Sequence, residues 1–147
     1  MPSVNVTATH KFVIVLNEKS PIGKLLSAAG QLAMSLYCNA TEEQRANASF
    51  IPFFSPSGDN LITVSTCSFI VLKGTANQLI TLYSQAATKP NLSSAIFTST
   101  MSFNGIEEDL LQKTAITPLD QVEPYGVGVF GPIEELNPLT KKFSIFK

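Results

Sequence analysis

The feature that most constrains the fold is a run near the start of the chain, Lys-Phe-Val-Ile-Val-Leu at residues 11–16. The run is apolar and β-branched, and polar residues do not alternate with apolar ones. A strand with this pattern is buried on both faces, because an exposed face would need a polar residue at every second position. We therefore expect residues 11–16 to form a strand near the centre of a sheet.

The apolar residues that follow change to helical spacing: Ile22, Leu25, Leu26, Ala29, Ala33 and Leu36. This spacing predicts a helix that ends near Tyr37, with Ser20 as its N-cap and Pro21 at its first position. A second helix is predicted after Thr75, and a third over residues 106–115. The third begins with three consecutive acids, which favour the positive end of a helix dipole and are a weaker indication of a metal site.

Further strands are predicted at residues 68–72, 94–99 and 125–130, with an edge strand at 143–146. Residues 50–54 and 61–64 flank a Pro- and Gly-containing turn, which predicts a hairpin with a long loop. Since strands alternate with helices, the class is α/β. We expect one domain over residues 1–147, with a mixed, mostly buried sheet of four or more strands and helices on both faces.

Charged residues make up only 14% of the chain, whereas about a quarter is usual. This low charge and the ten Phe residues predict apolar surface that a homodimer would cover. Arg45 is the only Arg and the net charge is −1, which argues against a nucleic-acid partner. No apolar run is long enough for a membrane span, and residues 1–10 lack a signal-peptide pattern. A cytoplasmic protein without a membrane partner is expected.

The inventory of reactive side chains is short. His10 is the only histidine, and no nucleophile-elbow pattern Gly-x-Ser-x-Gly accompanies it, so we predict no catalytic role for it. Cys38 and Cys67 lack zinc-site spacing and are expected to be unpaired thiols. The sequence therefore indicates neither a metal nor another cofactor.

Three segments resemble, in order and spacing, the type II peptidyl-tRNA hydrolases. The first is strand 11–16 followed by Gly-Lys-Leu-Leu-Ser-Ala-Ala-Gly-Gln-Leu-Ala at 23–33, and the second is Ala-Ile-Phe-Thr at 95–98. The third, at 126–146, holds a strand, Gly-Pro, an acidic turn, a Thr-containing turn and a short apolar strand. The hairpin at 50–64 is similar to a related bacterial family, domain of unknown function number 2000. The resemblance implies a type II peptidyl-tRNA hydrolase-like fold.

The positions that carry hydrolase chemistry in that family hold other residues here. By the resemblance, Leu26 stands where the enzymes have a second Lys, Ala33 where they have His, and Thr98 where they have Asp. Lys24 is the only charged residue of the motif that remains. Leu26 and Thr98 cannot supply the ammonium and carboxylate that proton transfer and charge stabilisation would use. The resemblance therefore implies a chain that has lost the hydrolase activity.

Ligands of open α/β sheets bind beyond the carboxyl ends of the strands, which places a candidate cleft at the loops after strands 11–16 and 94–98. The predicted ligand-binding residues there are Lys24, Ser27, Gln31, Thr98 and Thr100. One cation and several hydroxyls can hold a small anionic ligand, although such hydroxyls also serve as caps of helices and turns. Three functions stay open: a non-hydrolytic binding protein for a small anionic ligand or a partner, a peptidyl-tRNA hydrolase-like enzyme with an altered site, and a structural or interaction dimer.

Overall fold

The computed structural model describes residues 8–101 and 107–147. The strands are β1 His10–Asn17, β2 Phe50–Phe54, β3 Asn60–Ser65, β4 Ser68–Gly74, β5 Ser93–Thr98, β6 Pro124–Pro132 and β7 Ser144–Ile145. The helices are α1 Ile22–Cys38, α2 Glu42–Ala46, α3 Ala76–Ala87, α4 Glu107–Ile116 and α5 Ile133–Thr140, with short 3-10 turns at Ser99–Met101 and Leu119–Gln121. The class is mixed α/β, as the sequence predicts.

A five-stranded mixed sheet in the order β5-β6-β1-β4-β7 forms the core, and β2 and β3 form a separate two-stranded sheet. Strand β1 pairs in parallel with β4 and antiparallel with β6. Its residues Phe12 to Leu16 are all buried. The prediction that this strand lies at the centre of the sheet is confirmed.

Alternate residues of β1 face opposite layers, because side chains alternate along a strand. Val13 and Val15 belong to a core cluster with residues of α3 and α5, whereas Ile14 and Leu16 belong to a cluster with residues of α1. Helices therefore cover both faces of the sheet, as predicted.

Helix α1 differs from its prediction at two points. Pro21 is the N-cap residue and makes no side-chain cap bond, so the prediction of Ser20 as the cap is wrong. The buried face consists of Leu25, Ala28, Leu32 and Leu36. Leu26, expected on the apolar inner face, is 67% exposed, because the sheet covers only one arc of the helix.

Other elements follow the expected pattern more closely. Thr75 caps α3 through a reciprocal capping box with Gln78. The third predicted helix is present as α4, and its predicted first residue, Ile106, lies outside the described residues. Helix α5 was not predicted, since Pro138 lies inside it and proline is a strong helix breaker.

The structure confirms the two cysteines as free thiols, with Cys38 exposed and Cys67 buried. Among the described residues, no helix is long and apolar enough to cross a membrane.

Helix α1 packs directly on the backbone of β6, where Gly126 leaves no space for a side chain. A Cβ atom there would lie 2.9 Å from side-chain atoms of both Leu16 and Leu32. We expect Gly126→Ala to lower the free energy of unfolding by about 1–3 kcal/mol through overpacking. Gly23→Ala on α1 is the matched control, since its Cβ would meet nothing within 4 Å, and it should leave the stability unchanged or raise it by up to about 1 kcal/mol. Urea unfolding of both variants measures the difference, and equal stabilities would contradict this account of the packing.

Candidate functional site

One edge of the sheet gathers most of the polar side chains that the fold buries. Strands β1, β4 and β5 run in the same direction, because β6 is antiparallel to both β1 and β5. Their carboxyl ends therefore share one edge, which we name the carboxyl edge. Helices α1 and α3 begin there after short loops, and β6 starts there. In open α/β sheets this is where ligands bind.

The last residue of β1 and a residue of the following loop hold that loop against the start of β6. The Asn17 side chain, which is buried, donates from Nδ2 to the carbonyl of Pro124 at 2.9 Å and accepts from the Lys19 amide at 3.1 Å. Ser20 donates from Oγ to Oε1 of Glu123 at 2.8 Å. Because Ser20 binds this carboxylate, its hydroxyl does not cap α1.

Three threonines form a hydroxyl cluster at the end of β5. The Oγ1 atoms of Thr98 and Thr100 lie 2.9 Å apart, and Thr114 of α4 donates to Thr100 Oγ1 at 2.9 Å. Thr98 is 1% exposed and Thr100 is 4% exposed. These hydroxyls therefore bond chiefly to one another and join α4 to the sheet.

The predicted ligand-binding residues lie in two places. The structure brings Thr98 and Thr100 together within the hydroxyl cluster. Lys24 is half-buried in the first turn of α1, and Ser27 and Gln31 are exposed further along that helix. Whether these five residues bind a ligand stays a prediction.

Sequence reasoning missed Asn17, Ser20 and Glu123 as members of this edge. Asn17 and Ser20 come within four residues of the end of the predicted strand 11–16, so the sequence alone could have placed them at this edge. Glu123 lies 103 positions from Ser20, and only the antiparallel pairing of β6 with β1 places it there. Glu123 is thus a hydrogen-bonded carboxylate at the carboxyl edge that the resemblance did not indicate.

A cavity of about 430 Å³ lies beside this edge, between the end of β5 and α4. It is lined by Phe97, Met101, Glu107, Leu110, Leu111, Thr114 and Ala115. Binding pockets for small molecules are commonly about 300–1,000 Å³, with mostly apolar walls and few polar groups. Here the polar groups are the Thr114 hydroxyl, which belongs to the hydroxyl cluster, and the Glu107 carboxylate. The cavity can therefore hold the apolar part of a small molecule.

Tyr125 lies at the same edge, two residues after Glu123, and its ring centroid is 6.1 Å from that of Phe97. Its side chain is buried. The pKa of Tyr125 is raised above the ordinary value of 10.0. Burial of the side chain is the larger cause, and the negative charge of Glu123 is the smaller cause. Tyr125 is therefore a neutral phenol at physiological pH. Among the described residues, no group of three or more His, Cys, Asp or Glu is placed to hold a metal ion.

Comparison with known proteins gives a family and a fold. The family model described as "Protein of unknown function (DUF2000)" matches residues 10–147. The solved structure of the protein of unknown function Atu0240 from Agrobacterium tumefaciens strain C58 superposes with a TM-score of 0.76 at 14% identity, covering 95% of this chain and 98% of that one. At this identity the likeness concerns the fold alone. No curated protein matches the chain.

The raised pKa of Tyr125 predicts how the stability of the protein changes at alkaline pH. The native state holds the phenolic proton more tightly than the unfolded state does, so the stabilisation is complete below about pH 10 and is lost as pH rises through the higher native pKa. The difference in phenolate absorbance between the unmodified protein and Tyr125→Phe should titrate with a midpoint above 10. Glu123→Gln should lower that midpoint without returning it to 10, because burial remains. A midpoint at or below 10 would contradict this environment for Tyr125.

Proposed function

Because the chain belongs to the DUF2000 family of proteins of unknown function, we propose its function from the geometry of its own residues. It is a binding protein that takes a small molecule with an apolar body and an acidic group at the carboxyl edge, without hydrolase chemistry. The observation that carries this proposal is the apolar cavity of about 430 Å³ between β5 and α4. Its volume and its mostly apolar walls are those of a small-molecule pocket.

In this proposal the acidic group of the ligand binds at the first turns of α1. Lys24 is the only charged residue in α1 and lies in its first turn, where the helix dipole also favours an anion. Ser27 and Gln31 are the exposed polar side chains next along the helix. Thr98 and Thr100 have a different part in this proposal, since their hydroxyls bond to each other. Through its bond to Thr100, Thr114 is held in place as a polar group of the cavity wall.

The proposal excludes hydrolysis because of the residues at the positions where the resemblance places the catalytic groups of the hydrolases. Leu26 is exposed and Thr98 is buried, and neither side chain ionises. The proposal includes a type II peptidyl-tRNA hydrolase-like fold, supported by the motifs at 23–33, 95–98 and 126–146, and a cytoplasmic location. The altered hydrolase remains the alternative, because Glu123 and Ser20 place a hydrogen-bonded carboxylate at this edge.

A homodimer is the second part of the proposal, and a specific observation favours it. Within the described residues, β2 of the β2–β3 hairpin is exposed along its whole length and β3 along most of its length. Six of the hairpin's large apolar side chains are exposed, and apolar surface of this kind usually marks an interface.

Octanoate, a small apolar anion, tests the ligand proposal by isothermal titration calorimetry. We expect saturable binding of one octanoate per chain, and Ala115→Phe should weaken it, because the larger side chain occupies part of the cavity. Ala87→Phe is the matched control, since Ala87 is also exposed, at the end of α3 and away from the cavity, and it should bind normally. An affinity for octanoate that is unchanged in Ala115→Phe would show that the cavity is not the site.

The Lys24→Ala variant tests whether Lys24 binds the acidic group of the ligand independently of the apolar body. It should weaken octanoate binding about two- to fivefold, as expected for a partly exposed ion pair, and leave the binding of 1-octanol unchanged. Equal effects on the two compounds would remove Lys24 from the site and leave the cavity assignment standing.

Peptidyl-tRNA tests the hydrolase alternative. We expect the purified protein to release peptide no faster than a heat-inactivated sample does. Leu26 and Thr98 stand at the positions where the resemblance places the ammonium and the carboxylate, and neither side chain can supply these groups. Glu123→Gln is the accompanying variant. Turnover by the unmodified protein that is lost in Glu123→Gln would replace the binding proposal with an altered hydrolase.

A further inference from the structure

The β2–β3 hairpin is an apolar ribbon with little support from its own chain. Its exposed apolar side chains are Phe50, Ile51, Phe53, Phe54, Leu61 and Ile62. Asp59, at its turn, is the only charged residue between Arg45 and Lys73. Within the described part of the chain, no other strand pairs with the hairpin. A two-stranded hairpin alone is marginally stable in water, and exposed apolar strands invite association.

The base of the hairpin is fixed beside the end of α1. The Thr66 amide donates to the Ser49 carbonyl at 2.8 Å, which closes the hairpin at its base. The Phe50 ring meets the Tyr37 ring edge-on, with centroids 5.4 Å apart. The apolar surface of the hairpin is therefore continuous with the surface of α1.

Helix α1 carries a second apolar surface on the side away from the sheet. Its exposed members are Ile22, Leu26, Met34 and Tyr37, which we name the α1 stripe. Ile22, Leu26 and Met34 share a ridge with i, i+4 spacing, and Gly30 is the missing member between them. A Cβ at Gly30 would meet nothing within 4 Å, so the ridge has a gap that a large side chain can enter.

We propose that in a homodimer of this chain the hairpin of each copy packs along the α1 stripe of the other copy. This proposal rests on the homodimer proposed above and names its interface. The two surfaces match in length, since the stripe spans about 22 Å of helix and the hairpin about 20 Å from Phe50 to its turn. Each copy presents both surfaces, joined at Phe50 and Tyr37, as an isologous interface requires.

The exposed area identifies a second copy as the occupant. Successive side chains of a strand point to opposite faces, so Ile51, Phe53 and Ile62, the cross-strand partner of Phe53, share one face of the hairpin. These three residues and the four residues of the α1 stripe are between 36% and 67% exposed. Since an aromatic side chain buries about 150–250 Å² when covered, and an aliphatic one somewhat less, this face and the stripe together offer roughly 700 Å² per copy, close to the value of about 800 Å² per partner in a standard interface.

Sedimentation equilibrium at tens of micromolar tests the interface with three variants. Phe53→Glu changes the hairpin, Leu26→Glu changes the stripe, and Ile116→Glu on α4 is the control, with a side chain that is 73% exposed. We expect the unmodified protein and Ile116→Glu to sediment as dimers. The other two variants should dissociate with a dissociation constant raised about thirtyfold or more, while circular dichroism shows that they remain folded.

The outcomes separate this inference from the proposals on which it rests. A monomeric unmodified protein overturns the homodimer and this interface together and leaves the ligand proposal intact. A dimer that persists in either Phe53→Glu or Leu26→Glu overturns the interface alone, since both surfaces are required.

A disulfide cross-link tests the contact directly and does not depend on a change in stability. In a Cys38→Ser background, chains carrying Leu26→Cys are mixed with mass-tagged chains carrying Phe53→Cys and then oxidised. We expect a covalent heterodimer that contains one chain of each kind. The pair Ile116→Cys and Phe53→Cys should give none, and equal yields from both pairs would overturn the assignment of the hairpin to α1.

Discussion

Burial of β1 on both faces is the constraint on which the rest of the structure depends. A strand with Val13 and Val15 on one side and Ile14 and Leu16 on the other needs an apolar layer above and below it. Helix α1 supplies one layer, and α3 with α5 supplies the other. The backbone of β1 must also be paired on both sides, which β4 and β6 provide. The carboxyl edge follows from this arrangement, because the loop that leaves β1 has to turn there into α1.

The polar side chains of that edge serve the fold first. Asn17 and Ser20 hold the loop after β1 against the start of β6, and the threonine cluster holds α4 to the end of β5. Of these hydrogen-bonded groups only Thr114 also lines the cavity between β5 and α4, whose other walls are mostly apolar. In the proposed ligand complex, its bond to Thr100 would hold this hydroxyl in place before the ligand enters, which lowers the ordering that binding requires.

The sequence predicted local features well and distant contacts poorly. The sequence predicts the strand at 11–16 and the capped helix after Thr75, because an apolar run and a helix cap each depend on residues that are close together in the sequence. The exposure of Leu26 was missed, since periodicity shows that a helix has an apolar side but not how wide an arc the sheet covers. Glu123 was missed for a similar reason: its contact with Ser20 joins residues 103 positions apart. At the candidate site, Lys24 and Thr98 came from motif positions, whereas the cavity exists only once α4 packs against β5.

The pairing of β1 with β6 also determines the order in which the chain can fold. His10 pairs with Pro132, so one side of the central strand has no partner until the chain has been synthesised through residue 132. The parallel pair of β1 and β4 and the local β2–β3 hairpin can form earlier, because their strands are closer in sequence. A nascent or truncated chain that ends before β6 therefore presents the free edge of its most apolar strand, a surface prone to aggregation. Completion of the sheet by β6 removes that edge.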